Sequence, residues 1–438
     1  MRVKEGCPRL VPSRRACAPG GVMWYGVGMS FNRPASMGIL ACPGGKSLAG
    51  EIISHLKSIH HRRFEKKMAS LSGLYNLTRE EITRQSNFDQ DLHSSDFEGT
   101  GSVYAYRAPR LVVPANFTRF ANGEFKTEIG TSIRGMDLYI IQDVANAYPV
   151  RFHNSDEKHA LSINDHIICL MTAVDAAVQA GAESVTIVIP SYPYARQHKK
   201  KGREGLTAAR FGQMMENMGV TRIMTLDIHS KEIENTFVRL NLENLHGSYQ
   251  ILRRLHDLID LKDPDLVIVS PDTGAVDRNK FYASCIQRPL AMLYKERDYS
   301  KLSTNAGESN ITSTKLLGDV RGKNVFLADD LLGTGGTLIK AFKLLKEMGA
   351  KKIVAGISLP LFTGEAIAFF DAAYEQGLFH KIIGTNAVYH DETLLDRPWY
   401  TTANVANLFA RAMSRLHHNR SLSSLLDNSA IIQKLLNS

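Results

Sequence analysis

Short apolar runs alternate along this chain with segments of helical spacing, and that alternation restricts the fold more than any other feature. The runs fall at residues 138–142, 185–190, 222–229, 266–270, 290–294, 325–330, 353–359 and 382–388. Between them, segments 164–180, 207–218, 336–348 and 364–376 carry apolar residues at helical spacing. Strands that are apolar on both faces need cover on both faces. The pattern therefore predicts an α/β protein with mainly parallel sheets flanked by helices. These strands are too many for one small sheet, and Leu261-Lys262-Asp263-Pro264 reads as a joint, so two domains are expected.

A further strand at 38–42 precedes a helix carrying Leu48, Ile52, Leu56 and Ile59. From Arg62 to about Arg107 the pattern fails, apart from a possible short helix at 77–84. A structureless stretch of that length does not belong inside a core, so it reads as a surface insertion. The expected organisation is a leader at 1–36, a first domain at 37–260 with the insertion at about 62–107, a second domain at 261–403, and a tail at 404–438 that can pack back on the first domain.

The 438 residues are 44% apolar, enough for two cores. The net charge of +9 is uneven. Residues 1–38 hold six basic side chains (Arg2, Lys4, Arg9, Arg14, Arg15 and Arg33) against the single acid Glu5. The remainder is mildly basic, which suits small anions and argues against nucleic acid as the main partner. Prolines interrupt the leader, so it makes a poor signal peptide, and Met23, Met29 and Met37 are alternative starts. No run approaches the roughly 20 apolar residues that cross a bilayer. The five scattered cysteines form no CxxC or Cys/His cluster, and a reducing cytoplasm is the expectation.

The segment NVFLADDLLGTGGTLIKAF, residues 324–342, carries the most chemistry. An apolar strand stops at Asp329 and Asp330. Gly333-Thr334-Gly335-Gly336-Thr337 then leads into a helix. Glycines let backbone N–H groups converge on one phosphate, and the helix N-terminus adds partial positive charge. Thr334 and Thr337 can donate hydroxyl hydrogen bonds. The two acids would repel that phosphate, so they must face something electropositive or hydroxyl-rich, such as the cis-diol of a sugar. A sugar phosphate satisfies both halves.

ADDLLGTGGT resembles the phosphoribosyl loop of type I phosphoribosyltransferases, and most closely that of the ribose-phosphate pyrophosphokinases. The likeness extends from about Met37 through FANGEFKTEIG, YPYARQHKKKGREGLTAARF, TLDIHS, SPDTGAVDR, LYKER and the tail RLHHNRSLSSLL. It implies two tandem type I phosphoribosyltransferase-like domains. It also implies transfer of pyrophosphate from magnesium-bound ATP to the C1 hydroxyl of ribose 5-phosphate, giving AMP and 5-phosphoribosyl 1-diphosphate. By the same resemblance, His229 and Asp272 help to hold magnesium and its triphosphate, and Arg196 and Gln197 contact ATP. Phe120, Asn122 and Glu124 reach the adenine from a neighbouring subunit of a homo-oligomer. Lys295 and Arg297 are the catalytic cations at the root of a polar, mobile loop spanning 298–314. Asp329, Asp330, Thr334, Gly335, Gly336 and Thr337 take the ribose 5-phosphate.

Several residues depart from the family's pattern. Gly333 stands where a third acid is usual, His198 where an aspartate is, Glu232 where a glutamine is, and Ala275 where a second glycine is. The segment 199–204 is shorter, and the insertion at 62–107 is unusual. Two other readings stand beside the synthetase: a non-catalytic regulatory homologue, which Gly333 and His198 favour, and a nucleobase phosphoribosyltransferase. The latter leaves the ordered motifs of the first half unexplained.

Overall fold

The computed structural model describes residues 35–85, 108–200, 202–297 and 311–437. The basic leader, the second half of the expected insertion and most of the polar stretch after Arg297 lie outside the described residues. The first sheet is wholly parallel. Its strands β1 (Met37–Ala41), β4 (Asp137–Ile141), β7 (Ser184–Val188), β8 (Arg222–Leu226) and β9 (Asn241–Leu245) lie side by side in chain order. Two hairpins sit apart from it, β2 (Ala115–Arg119) with β3 (Phe125–Ile129), and β5 (Val150–Arg151) with β6 (Lys158–His159).

The second sheet takes the strands from β10 (Leu266–Ser270) onward. Its spatial order is β12 (Ile311–Leu317), β11 (Leu290–Arg297), β10, β13 (Asn324–Leu332), β14 (Ile353–Pro360), β15 (Lys381–Thr385) and β16 (Tyr400–Ala403). Only β12 runs antiparallel, against β11. The chain leaves β10 toward one edge, then returns to place β13 on the other side. The order thus reverses between β10 and β13, and helices leave these two strands in opposite directions. Ligands of open α/β sheets gather at such a reversal, beyond the carboxyl ends of the strands. The first sheet has no reversal.

Helices cover both faces of both sheets, as the apolar runs require. Leu170 and Val174 of helix Ile163–Gln179, with Phe211 and Met215 of helix Thr207–Asn217, cover one face of the first sheet. The other face packs against Leu48 and Ile52 of helix Lys46–Tyr75 and against Phe409 and Met413 of helix Ala406–His417. That last helix comes from the C-terminal end of the chain. His417 Nδ1 lies 2.9 Å from Asp137 Oδ2. Asn386 and Asn404 both donate to the Glu51 carboxylate, from beyond β15 and β16. In the second sheet, Phe342 and Phe370 pack beneath one face, while Ile251, Leu255 and Tyr282 pack beneath the other.

Three features differ from the sequence reading. The helix that was expected to end near Ile59 runs on to Tyr75. Phe64 and Met68 continue its apolar stripe, and they bury against Ile82 of a second helix, Arg79–Gln85. Residues 62–85 are therefore a helical hairpin and not a patternless loop, with Arg79 seated 5.1 Å over the Phe64 ring. The edge strand β9 has no counterpart among the apolar runs, because Asn241 and Glu243 interrupt it. The strand at 290–294 extends to Arg297 and pairs with β12, so residues 311–314 are strand, where a loop was expected.

The helical hairpin makes its own small core, so Phe64→Ala should open it locally. Truncating a buried phenylalanine costs about 3 to 5 kcal/mol. Amide hydrogen exchange should then lose protection across residues 60–85 while the two sheets keep theirs. Unchanged protection there would mean that the hairpin owes nothing to this contact.

Candidate active site

The β10–β13 reversal opens into a cavity of about 260 Å³, lined by Arg196, His229, Asp272, the acids Asp329 and Asp330, and the whole loop from Gly333 to Thr337. Leu338 and Ile357 supply apolar lining. Each polar group arrives from a strand end. Asp272 follows β10, the acid pair comes directly after the buried stretch 325–328 of β13, and His229 follows β8 of the other sheet.

The phosphate half is built of backbone. Helix Gly336–Glu347 starts without a side-chain cap, and its N-cap residue Gly335 has φ of 78°. A Cβ there would lie 2.3 Å from the Phe370 ring, so both conformation and space demand glycine. The helix therefore presents uncapped N–H groups toward the cavity, the arrangement that binds anions. At Gly333 the nearest neighbour of a Cβ would be Thr363 Oγ1 at 3.6 Å, ordinary contact, so glycine is not required there.

The acid half is positioned by Asn279, which is fully buried in helix Val276–Ile286. Its side-chain amide donates to Ala328 O at 2.8 Å and accepts from Ala328 N at 2.8 Å, clamping the residue before Asp329. Asp330 accepts from His229 Nδ1 at 2.7 Å, a hydrogen bond that crosses from one sheet to the other. Burial works to raise the Asp330 pKa, but the His229 hydrogen bond and the Arg278 charge outweigh it and hold this carboxyl low. Asp329 moves the opposite way, raised by burial and then by the Asp330 charge. His229 is raised, chiefly by its hydrogen bond to Asp330.

Behind the cavity lies a carboxylate that no motif pointed to as a functional group. Asp227 is 5% exposed and adopts φ of 43°, the left-handed region that an aspartate enters only where its surroundings hold it. It accepts from His246 Nδ1 at 2.9 Å and Gly247 N at 3.1 Å on the first sheet's side. From the second sheet's side it accepts from Ser358 Oγ at 2.6 Å, and Arg278 Nη1 lies 3.3 Å away. Burial would raise its pKa, yet the Arg278 charge and the His246 hydrogen bond hold it far below the usual carboxylate range. Arg278 in turn feels Asp330 and Asp329 as well as Asp227. The sequence did hold a signal for Arg278: it is a cation near the start of a helix, where the macrodipole disfavours one.

Other expected residues lie elsewhere. Gln197 is exposed and outside the cavity lining, although its N–H donates to Tyr194 O at 2.7 Å in the turn that carries Arg196. Phe120, Asn122 and Glu124 occupy the tip of the β2–β3 hairpin, with the Phe120 ring 44% exposed, and none of the three lines the cavity. Lys295 and Arg297 stand on β11 opposite Thr314 and Ile311. His198, the substituted position, packs edge-on against His229 with ring centroids 5.4 Å apart. Among the described residues no three of His, Cys, Asp and Glu converge as a metal cage. No helix among them is long and apolar enough to cross a membrane.

Fold and cavity together define a class: two phosphoribosyltransferase-like α/β sheets with an anion-binding loop and an acid pair at one strand reversal. Family comparison agrees along the chain. Residues 105–219 match the N-terminal domain of ribose phosphate pyrophosphokinase, 239–366 a phosphoribosyl transferase domain, and 308–427 a phosphoribosyl synthetase-associated domain. The chain is 33% identical over 315 residues to ribose-phosphate pyrophosphokinase A of Dictyostelium discoideum, covering 72% of this chain and 90% of that protein. It is 32% identical over 308 residues to ribose-phosphate pyrophosphokinase 2 of Schizosaccharomyces pombe, covering 70% and 87%. The crystal structure of phosphoribosylpyrophosphate synthetase from Mycobacterium smegmatis superposes with a TM-score of 0.63 at 22% identity, over 88% of this chain and 99% of that one. This chain belongs to the ribose-phosphate pyrophosphokinase family.

Asp227→Asn should leave the Arg278 charge buried without its partner, lowering stability by about 3 to 5 kcal/mol. An ordinary carboxyl titrates near 3.9. Because the folded Asp227 is depressed below that, its contribution is complete above about pH 4 and is lost only as pH falls toward the folded value. Urea melts should therefore show a constant gap between wild type and variant from pH 5 to 8, narrowing below pH 4. A gap that widens in acid would contradict the assignment.

Proposed function

We propose that this chain transfers the diphosphoryl group of ATP to ribose 5-phosphate. The observation that carries the reading is the single cavity in which an uncapped glycine loop and an acid pair from one sheet face His229 from the other. The loop from Gly333 to Thr337 holds the 5-phosphate through N–H groups and the Thr334 and Thr337 hydroxyls. Asp329 and Asp330 accept from the ribose hydroxyls. The C1 hydroxyl oxygen attacks the β-phosphorus of ATP. The bond from that phosphorus to the α–β bridging oxygen breaks, AMP leaves with the bond's electron pair, and the hydroxyl proton passes to solvent.

Arg196, at the cavity wall, pairs with the triphosphate, and Gln197 beside it is the further ATP contact. Magnesium fits the donor set. Asp272 Oδ1 accepts Gly274 N at 2.9 Å and Ala275 N at 3.0 Å, which fixes the carboxyl and turns its second oxygen to other use. Mg²⁺ keeps several waters and leans on substrate phosphates, so Asp272 and His229 with the triphosphate would suffice to hold it without a protein cage among the described residues. The ion supplies charge neutralisation to the phosphates. Lys295 and Arg297 stabilise the charge that develops as the bond to AMP breaks. Phe120, Asn122 and Glu124 serve the adenine of a neighbouring subunit, which makes the functional unit a homo-oligomer.

The test is AMP formation from ATP, ribose 5-phosphate and magnesium by the full chain. Wild type should release AMP and no ADP, and Lys295→Ala should lower turnover about a hundredfold. ADP in place of AMP, or an inert chain, would support the non-catalytic reading or another transferase.

Gly333 gives a second expectation. A Cβ at this position would make only ordinary contact, with Thr363 Oγ1 at 3.6 Å, so a side chain can start there. Gly333→Asp should therefore fold normally and lower the Michaelis constant for ribose 5-phosphate several-fold, with that for ATP unchanged. A higher constant for ribose 5-phosphate would mean that a third acid repels the sugar phosphate here.

A further inference from the structure

The extension of helix Lys46–Tyr75 beyond Ile59 does more than carry a satellite core. Its Arg62, Arg63 and Lys66 face Arg411 and Arg415 of helix Ala406–His417, and Arg420 beyond that helix, across an open cleft of about 450 Å³. The other lining groups, Ile59, Asn407 and Ser414, are neutral. Among the described residues no carboxylate lies within ion-pair distance of these six cations. Nearby Glu65 is taken by Arg79 at 2.8 Å. The Arg63 guanidinium donates to His418 Nε2 at 2.9 Å, so the ring accepts there and brings no counter-charge. Arg415 donates to Ser421 O.

We propose that this cleft is a binding site for a compact polyphosphate group, separate from the catalytic cavity. Six formal positive charges in one concavity repel one another unless a polyanion neutralises them. That strain registers at Arg63, whose pKa is lowered by burial and then by the charges of Arg420 and Arg415. Planar guanidiniums on two facing helices suit bidentate pairing with phosphate oxygens. The size selects the ligand class. Small-molecule sites span about 300 to 1,000 Å³, and here the cations converge on a hollow of that size. A nucleic-acid surface would spread them along a stripe. One phosphate would leave most of the charge unbalanced, whereas two or three linked phosphates would span both helices. Because three of the cations ride on the first helix and three belong to the C-terminal segment, the ligand would clamp the helical extension to the C-terminal segment. The site is independent of the proposed activity, so either can fail alone.

The test is calorimetric titration of inorganic tripolyphosphate into the full chain, with ADP as a second probe. The exposed pair Arg62→Gln/Arg411→Gln removes two charges without disturbing packing, and Arg63→Gln/Arg415→Gln removes the two inner ones. Each double variant should lose at least tenfold in affinity for one binding component, which also weakens steeply with salt. The same component should survive His229→Ala, while both double variants keep turnover. ADP competing for that component would identify a nucleotide as the ligand. Tripolyphosphate held where ADP does not compete would identify a base-free polyphosphate. Tripolyphosphate binding that is identical in wild type and in both double variants would overturn the proposal. So would a component lost only with His229→Ala.

Discussion

A single buried carboxylate, Asp227, is the contact on which the arrangement of this molecule turns. It sits two residues before His229, in a left-handed conformation, and it is gripped from both sheets at once. Taking a carboxylate out of water is costly unless each lone pair finds a donor. Donors from His246, Gly247, Ser358 and Arg278 meet that requirement only when the two sheets stand in one relative position. The cost of misplacing them is therefore concentrated at one residue. The consequence reaches the cavity, because the backbone that carries Asp227 also delivers His229 to Asp330.

Charge is sorted across the site by the same geometry. Arg278 stands behind the acid pair and between it and Asp227, and its field helps keep Asp330 ionised. Asp329, partly buried and beside the Asp330 charge, is held toward its neutral form. The anion loop meanwhile offers only backbone dipoles and hydroxyls, with no cation of its own. A ligand with a phosphate at one end and hydroxyls at the other can satisfy both halves without placing like charges together. This sorting is what the proposed sugar phosphate would meet in the cavity.

Much of this was legible in the sequence where a local rule governs. The apolar runs required covered parallel strands, and the glycine-threonine loop behind two acids marked the strand end that lines the cavity. What was not legible depends on long-range partners. Nothing in the neighbourhood of Asn279 marks it as the clamp on Ala328, since the contact joins a helix to a strand 49 residues away. Asp227 is inconspicuous because its partners, at His246, Arg278 and Ser358, converge only after both sheets form. The extension of the first helix past Ile59 gives a weak signal because its apolar stripe is thin and its charged face dense, whereas the short second helix falls where one was expected at 77–84. Edge strands such as β9 carry too much polarity to register as strands alone.

The central claim is that one site is assembled from both sheets, with the His229–Asp330 hydrogen bond as its seam. A double-mutant cycle on kcat/KM for AMP formation, using His229→Ala, Asp330→Ala and the pair, tests this most directly. If the two residues act as a unit, the double variant should lose little more than the worse single variant. Losses that multiply, as they do for independent sites, would contradict the account.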